Sequence, residues 1–253
     1  MPLVSVITPL YNMETFVGDT IRSAQNQTFT DYEHLIVNDA STDTSTAVVK
    51  KCMSQDPRIR LLEMPSRSGP HCAVNTGIEH SAGDYIALLA ADDLLTKDSL
   101  LVRVNNIANH TLICGQCIDI PEKTTLENAY QLTLKPDHIT QYFYGPTNLI
   151  RKSVFQKYGL FDEELPIAAE REFWVRLFGL DRERTDRGTF RCLPDLLGYF
   201  RVRSNSIQHQ VHKMPRTIRN HNRALLLEAI ERNRMSVDPQ HTRFLSGFYH
   251  ETF

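Results

Sequence analysis

The sequence has no apolar run long enough to cross a membrane. Its longest, Tyr85 to Ala91, is seven residues and runs straight into Asp92 and Asp93. A spanning helix needs roughly 18–20 apolar residues, so no membrane span is expected. The opening residues Met-Pro-Leu-Val-Ser-Val carry no basic stretch ahead of their apolar ones. They do not read as a signal peptide; they read as a strand that begins at once. Net charge is also nearly absent: 28 Lys and Arg against 30 Asp and Glu leave −2. That removes the global electrostatic argument for a nucleic-acid partner. Cysteine is sparse and odd in number (Cys52, Cys72, Cys114, Cys117, Cys192), which points to reduced thiols in a cytoplasmic protein. Cys114 and Cys117 have C-x-x-C spacing, but no second pair exists for zinc. They also sit in a strand pattern, where their side chains would face opposite ways. No fixed-period repeat and no low-complexity tract is present.

What is there is an ordinary globular composition, 41% apolar and 23% charged. The length of 253 residues suits one large α/β domain or two small ones. The charge is unevenly spread. Residues 1–200 hold 19 basic and 26 acidic side chains, whereas 201–234 hold 8 and 2. An acidic body followed by a basic segment points to an anionic ligand or surface near that segment.

The first half alternates strand and helix patterns. Leu3–Thr8, His34–Val37, Ile59–Leu62 and Tyr85–Leu89 are short, apolar and rich in β-branched residues. Between them, Glu14–Gln27, a segment capped at Thr42-Asp43, and Pro70–Ile78 have helical spacing, as does Asp98–Asn109 further on. Such alternation predicts a mostly parallel sheet, and ligands bind such sheets at the carboxyl ends of the strands. Asp39 and the Asp92-Asp93 pair both follow strands and should converge on one crevice. The second half is less regular. Strands are predicted at Thr111–Asp119, at Thr147–Ile150 and within Phe190–Val202. Helices are predicted at Lys152–Tyr158, at Ala168–Phe178 around the single tryptophan, Trp174, and at Thr217–Asn233. Residues 120–145 are ambiguous.

Asp92 and Asp93 are the sharpest local feature. Two carboxylates after a buried strand are costly unless something cationic meets them. Mg²⁺ or Mn²⁺ bound with phosphate oxygens suits them; a helix cap is the plainer alternative.

Several ordered motifs over residues 3–207 resemble the family 2 glycosyltransferases of the GT-A fold. Val4-Ser5-Val6-Ile7-Thr8-Pro9-Leu10-Tyr11-Asn12 resembles the family's opening strand and turn. Gln25-Asn26-Gln27-Thr28-Phe29 resembles its first helix end. Val37-Asn38-Asp39-Ala40-Ser41-Thr42-Asp43 is similar to Val-Asp-Asp-Gly-Ser-Thr-Asp. Ala73-Val74-Asn75-Thr76-Gly77 is similar to Ala-Arg-Asn-x-Gly. Gly83-Asp84-Tyr85-Ile86 followed by Asp92-Asp93 resembles the strand leading to an Asp-x-Asp metal motif. Arg151–Glu163 and Tyr199-Phe200-Arg201 complete the series.

The resemblance implies a GT-A domain: an α/β, three-layer α/β/α sandwich with a mainly parallel central sheet. It would span residues 1–215, with a nucleotide-binding half at 1–110 and an acceptor and catalytic half at 111–215. Residues 216–253 would form a helical C-terminal extension. The implied reaction is inverting transfer of a sugar from a nucleotide-diphospho-sugar, a UDP-sugar, to a glycan or lipid-linked hydroxyl in cell-envelope polysaccharide synthesis. Thr8, Pro9 and Tyr11 would line the nucleotide, with the Tyr11 ring on the base. Asp39 would accept N3–H of uracil, a donor that adenine lacks in that place. Asp92 and Asp93 would share the ribose and a Mn²⁺ or Mg²⁺ ion. Trp174 and Arg176 set the register that makes Glu170 the catalytic base. The location implied is cytoplasmic, with peripheral association at the inner face of the membrane.

The chain departs from the family pattern in places. Ala90 and Val74 stand where many members carry Asp and Arg, and Glu170 where they carry Asp. Arg203 stands where members often have His, and with Arg201 it could pair with the diphosphate. His209 and His212 lie just beyond. The competing reading is a catalytically weak nucleotide-sugar-binding scaffold of the same fold. A nucleotidyltransferase would want a glycine-rich phosphate loop, which Pro9-Leu10-Tyr11-Asn12 does not offer.

Overall fold

The computed structural model describes residues 1–132, 139–141, 145–165, 169–178, 189–204, 206, 224, 225 and 228. The chain divides into two compact units: Met1–Lys157 with Thr189–Val202, and Tyr158–Gly188 with Arg203–Phe253. The predicted helix at 217–233 lies outside the described residues, except that Ala224, Leu225 and Glu228 are helical.

The first unit opens with β1 (Val4–Leu10), α1 (Val17–Gln25), β2 (Tyr32–Asn38), α2 (Ser45–Met53), β3 (Ile59–Glu63), α3 (Pro70–His80) and β4 (Tyr85–Leu88). It continues through β5 (Leu94–Leu95), α4 (Ser99–Asn106), β6 (Leu112–Pro121), α5 (Leu126–Tyr130), β7 (Ile139–Gln141), β8 (Leu149–Arg151) and α6 (Lys152–Tyr158). It closes with β9 (Phe190–Val202). The strands order as β3-β2-β1-β4-β8-β6-β9-β5, with β7 beside β6.

The β1, β2, β3 and β4 ladder is parallel, as the alternation predicts. The sheet as a whole is mixed. β8 pairs antiparallel with both β4 and β6, β7 pairs antiparallel with β6, and β5 with β9, while β9 returns parallel to β6. The expectation of a mainly parallel sheet is corrected to that extent. The physical reason lies in the second half: among the described residues, the connections joining β6, β7 and β8 carry only the short helix α5, and parallel neighbours need a long crossover.

β1 reads as a continuous apolar run because it is covered on both faces. Val4, Val6 and Ile7 are all fully buried. α3 packs closely over β1 and β2 because Gly77 has no side chain. A Cβ there would lie 2.5 Å from Ile7 Cγ2 and 3.2 Å from Val37 Cγ2. The β6–β9 pairing shifts register around Gln116, next to Pro194, which cannot donate to a ladder. Past that bulge, β9 carries Arg201 to the turn between β4 and β5.

Candidate functional site

Parallel pairing brings three loop starts to one edge. β1 ends at Leu10 opposite Asn38, the last residue of β2. β4 flanks β1 on its other side, and Asp92 follows four residues after its end. Tyr11, Asp39 and Asp92 thus leave the carboxyl ends of adjacent strands, where α/β sheets bind ligands.

The first two turns are laced together. The Asn12 amide donates to Ser41 Oγ at 3.0 Å, and Asn12 Oδ1 accepts the Thr42 amide at 2.8 Å. The Met13 amide donates to Ser45 Oγ at 2.8 Å, and Glu14 Oε2 accepts the Thr44 amide at 2.9 Å. Asn12 and Ala40 both sit at left-handed φ, 51° and 55°. Side chains other than Gly and Asn pay about 1–2 kcal/mol there. Ala40 stands where the resemblance has Gly, so the cost falls at the rim of the crevice.

Asp39 is 3% exposed. Its amide donates to Leu10 O at 2.8 Å. Its carboxylate accepts the Ser68 amide on Oδ1 at 2.6 Å and the Gly69 amide on Oδ2 at 2.8 Å. Both amides belong to the loop entering α3, and Gly69 takes a φ of 101° that requires glycine. A carboxylate held by one amide on each oxygen keeps further lone pairs for a ligand donor. The same loop lays the Arg67 guanidinium over the Tyr11 ring, 4.2 Å from its centroid. Sequence reasoning missed residues 67–69. The signal was the departure at Val74, which is buried and leaves the cation beside Tyr11 to Arg67.

Thr8 and Pro9 behave differently from Tyr11. Thr8 is fully buried and its Oγ1 lies 2.8 Å from His34 Nε2. Its side chain belongs to the sheet interior, whereas the resemblance implies a place on the nucleotide. Pro9 is partly exposed at the strand end, opposite Val37. His34 is wholly buried, and burial drives its pKa down to about 4, so the ring is neutral.

Asp92 and Asp93 separate. Asp93 is 1% exposed, and its Oδ1 accepts the Arg201 amide at 2.9 Å. Thr20 Oγ1 lies 2.9 Å from the carbonyls of both Ala91 and Asp93. Asp93 therefore anchors the turn from inside. Asp92 is partly exposed, so of the pair it is the one that reaches solvent. Arg201 is 2% exposed. Its Nε donates to Asp92 O at 2.8 Å, and its Nη1 to Glu122 O at 2.8 Å and Thr124 O at 2.6 Å. The guanidinium also stacks over Phe16 at 5.1 Å. Arg201 is expected to meet a diphosphate; in the structure its Nε and Nη1 donate to backbone carbonyls inside the fold. It ties the Asp92 turn to the 121–124 turn.

In the second unit, α7 (Ala169–Phe178) has two acids in its first turn, Glu170 and Glu172. Glu172 is fully buried and takes Arg176 bidentately, at 2.8 Å from Nε and 2.6 Å from Nη2. Arg176 Nη2 also donates to Leu160 O at 2.7 Å. Phe161 packs on Phe173, which in turn packs edge-on against Trp174, with centroids 4.8 and 5.4 Å apart. The aromatic and the Arg that set the register are thus structural. They leave Glu170, partly exposed, as the acid of this turn with access to solvent. Arg203 is buried within the same unit. His209 and His212 lie outside the described residues.

No cluster of three or more His, Cys, Asp or Glu side chains occurs among the described residues. Mg²⁺ and Mn²⁺ are satisfied by one or two carboxylates with phosphate oxygens and water. Asp92 alone fits that pattern, with a donor diphosphate supplying the other oxygens. Among the described residues no helix is long and apolar enough to cross a membrane.

A model described as glycosyl transferase family 2 matches residues 5–162. The chain is 38% identical over 99 residues to a putative teichuronic acid biosynthesis glycosyltransferase, TuaG, of Bacillus subtilis, covering 39% of each chain. Against three curated bacterial relatives the aligned segments span 39–65% of those proteins' lengths, less than two-thirds in each case. Among solved structures, S. aureus TarS (residues 1–349) in complex with UDP-GlcNAc superposes with a TM-score of 0.71. Identity is 18%, with 95% of this chain and 69% of that one covered. The mannosyltransferase PcManGT of Pyrobaculum calidifontis, in complex with GDP-Man and Mn²⁺, gives 0.64 at 19% identity, covering 100% and 81%. The structural likenesses carry the α/β GT-A fold, and the sequence match carries the membership: the chain belongs to the family 2 glycosyltransferases.

Proposed function

We propose that the protein transfers a sugar from a UDP-sugar to a hydroxyl of a glycan or lipid-linked acceptor, with inversion at the anomeric carbon. The observation that carries the donor assignment is Asp39. Its carboxylate is fixed by two amides at the strand edge, beside the Tyr11 ring under Arg67. A fixed carboxylate accepts N3–H of uracil, whereas adenine presents a ring acceptor and is repelled. Guanine also offers a ring N–H, so GDP is the competitor to be tested. The UDP-GlcNAc complex of TarS supports a uridine donor.

In the proposed reaction the Glu170 carboxylate takes the proton of the acceptor hydroxyl. The acceptor oxygen attacks the anomeric carbon from the face opposite the nucleotide. The bond from that carbon to the β-phosphate oxygen breaks, its electron pair leaves with UDP, and the configuration inverts. Mn²⁺ or Mg²⁺, held through Asp92, would neutralise charge on the departing diphosphate; the Mn²⁺ complex of PcManGT supports a divalent ion. Asp93 and Arg201 hold the turn that presents Asp92, and Arg203 is proposed as the protein's cation for the diphosphate. The proposal takes residues 1–215 as one catalytic domain of three-layer α/β/α form. It takes the basic segment 216–234 as the part that meets an anionic lipid-linked acceptor at the cytoplasmic face of the membrane. The TuaG likeness supports a role in envelope polysaccharide synthesis.

The test is calorimetric titration with UDP, GDP and CMP, each with and without Mn²⁺. Metal-enhanced binding of UDP alone is expected. Preference for GDP would replace the donor assignment, and no binding of any nucleotide would favour the scaffold reading. In a donor-hydrolysis or transfer assay, Glu170→Gln should abolish turnover and leave UDP affinity within about threefold, because the base acts on the acceptor proton and not on the nucleotide.

A further inference from the structure

Cys114 on β6 and Cys192 on β9 are register partners across parallel strands. They stand 78 positions apart in the chain, yet their sulfurs are 3.0 Å apart. Adjacent strands run about 4.8 Å apart, inside the roughly 4.4–6.8 Å Cα span that a disulfide bridges. A sulfur–sulfur bond is about 2.05 Å long, so movement of roughly 1 Å at the sulfurs closes it by side-chain rotation, with the strands in place.

We infer that Cys114 and Cys192 form a disulfide-forming site, oxidised by a low-molecular-weight disulfide such as glutathione disulfide. The inference rests on strand register and sulfur separation, and it stands apart from the sugar-transfer reading. Cys192 is half-buried and Cys114 is buried. Burial, with the neighbouring Cys192 sulfur, pushes the Cys114 thiol far above its ordinary range. An external oxidant therefore meets Cys192 first. The Cys192 thiolate attacks one sulfur of glutathione disulfide, expelling a glutathione thiolate and forming a mixed disulfide. The Cys114 sulfur then attacks the Cys192 sulfur and expels the second glutathione thiolate. Two protein thiols are oxidised, one glutathione disulfide is reduced to two glutathione thiols, and the two protein protons pass to them. The product closes a loop running from β6 through the Glu170 helix to β9. It fastens the strand whose Arg201 holds Asp93 and the Asp92 carbonyl.

The experiment uses the full chain. It is incubated with glutathione disulfide, its remaining thiols are alkylated, and unreduced peptides are mapped by mass spectrometry. The expected result is a Cys114–Cys192 cross-linked peptide and protection of two of the five thiols. The Tm should rise by roughly 5–15 °C, the range expected for closing a long loop in a chain of this size, and dithiothreitol should reverse the rise. Cys192→Ser should abolish both cross-link and Tm rise, while Cys52→Ser should keep both. A native protein in which Cys192 stops at the glutathione adduct, or in which Cys114 stays alkylatable, would overturn the inference. So would a cross-link that forms only in urea.

Discussion

Arg201→Lys distinguishes a buried clamp from a diphosphate ligand. Three of the guanidinium's contacts with carbonyl oxygens are 2.6–2.8 Å long, and the fourth, to Pro121 O, is 3.5 Å. Those carbonyls come from two turns, at 92 and at 121–124. A lysine keeps the charge, but its single ammonium cannot serve both turns as a planar fork does. About two good hydrogen bonds to a charged donor are lost. At roughly 1.5–3 kcal/mol each for a buried group, the expected destabilisation is about 3–6 kcal/mol. For a chain of this size that lowers Tm by about 6–24 °C. The amide of residue 201 still reaches Asp93 Oδ1, since that bond is made by the backbone, so the strand keeps its register. Differential scanning calorimetry reads the stability, and calorimetric titration with UDP and with uridine reads the site. Both ligands should weaken together, because the Asp92 turn loosens as a unit. A Tm within about 2 °C of the parent, with UDP weakened tenfold and uridine untouched, would refute the clamp. It would return Arg201 to the diphosphate.

Three further outcomes follow from the same geometry. His34 is buried neutral, with its pKa depressed by burial from 6.5 to about 4. The unfolded chain takes up the proton first, so this contribution is intact above pH 6.5 and lost as pH falls toward 4. The loss amounts to about 3 kcal/mol over the window. Urea midpoints measured across it should fall with pH, and His34→Gln should flatten the slope; a parent protein already flat from pH 6.5 to 4.5 contradicts the assignment. Ala40→Gly relieves a left-handed φ of 55°, offset by glycine's extra freedom when unfolded, for a net gain of about 0.5–1 kcal/mol; urea unfolding reads it, and a loss of stability would count against the strain. Arg67→Ala removes the cation over Tyr11, worth about 0.5–1 kcal/mol at an exposed site, and should weaken UDP about two- to fivefold in titration. Tighter binding would mean that Arg67 competes with the base for the ring.

Much of the fold was legible because its signals are local. The apolar runs at Leu3–Thr8 and His34–Val37, the helical spacing of Val17, Ile21 and Ala24, and the punctuation at Pro9 and Pro70 act within a few residues. A strand is expected within Phe190–Val202, and β9 fills that whole span. The two-residue β5 and the five-residue α5 escaped notice, because so short a segment has no period to read. The turns that carry Tyr11, Asp39 and Asp92 were legible too, since strand-end position and residue type suffice to nominate them.

The sequence by itself thus determined the strand–helix order, the residue types at the carboxyl edge of the parallel strands, and the family. The tertiary structure decided which way each candidate faces. It turned Asp93 and Arg201 inward and left Asp92 partly exposed. It put Thr8 on His34, brought Arg67 onto Tyr11, and paired Cys114 with Cys192 in place of Cys117. The reason is distance along the chain. Arg201 meets Asp93 across 108 residues, and Cys114 meets Cys192 across 78. A side chain's exposure and partners depend on what packs opposite it, and a window of sequence neighbours carries no record of that.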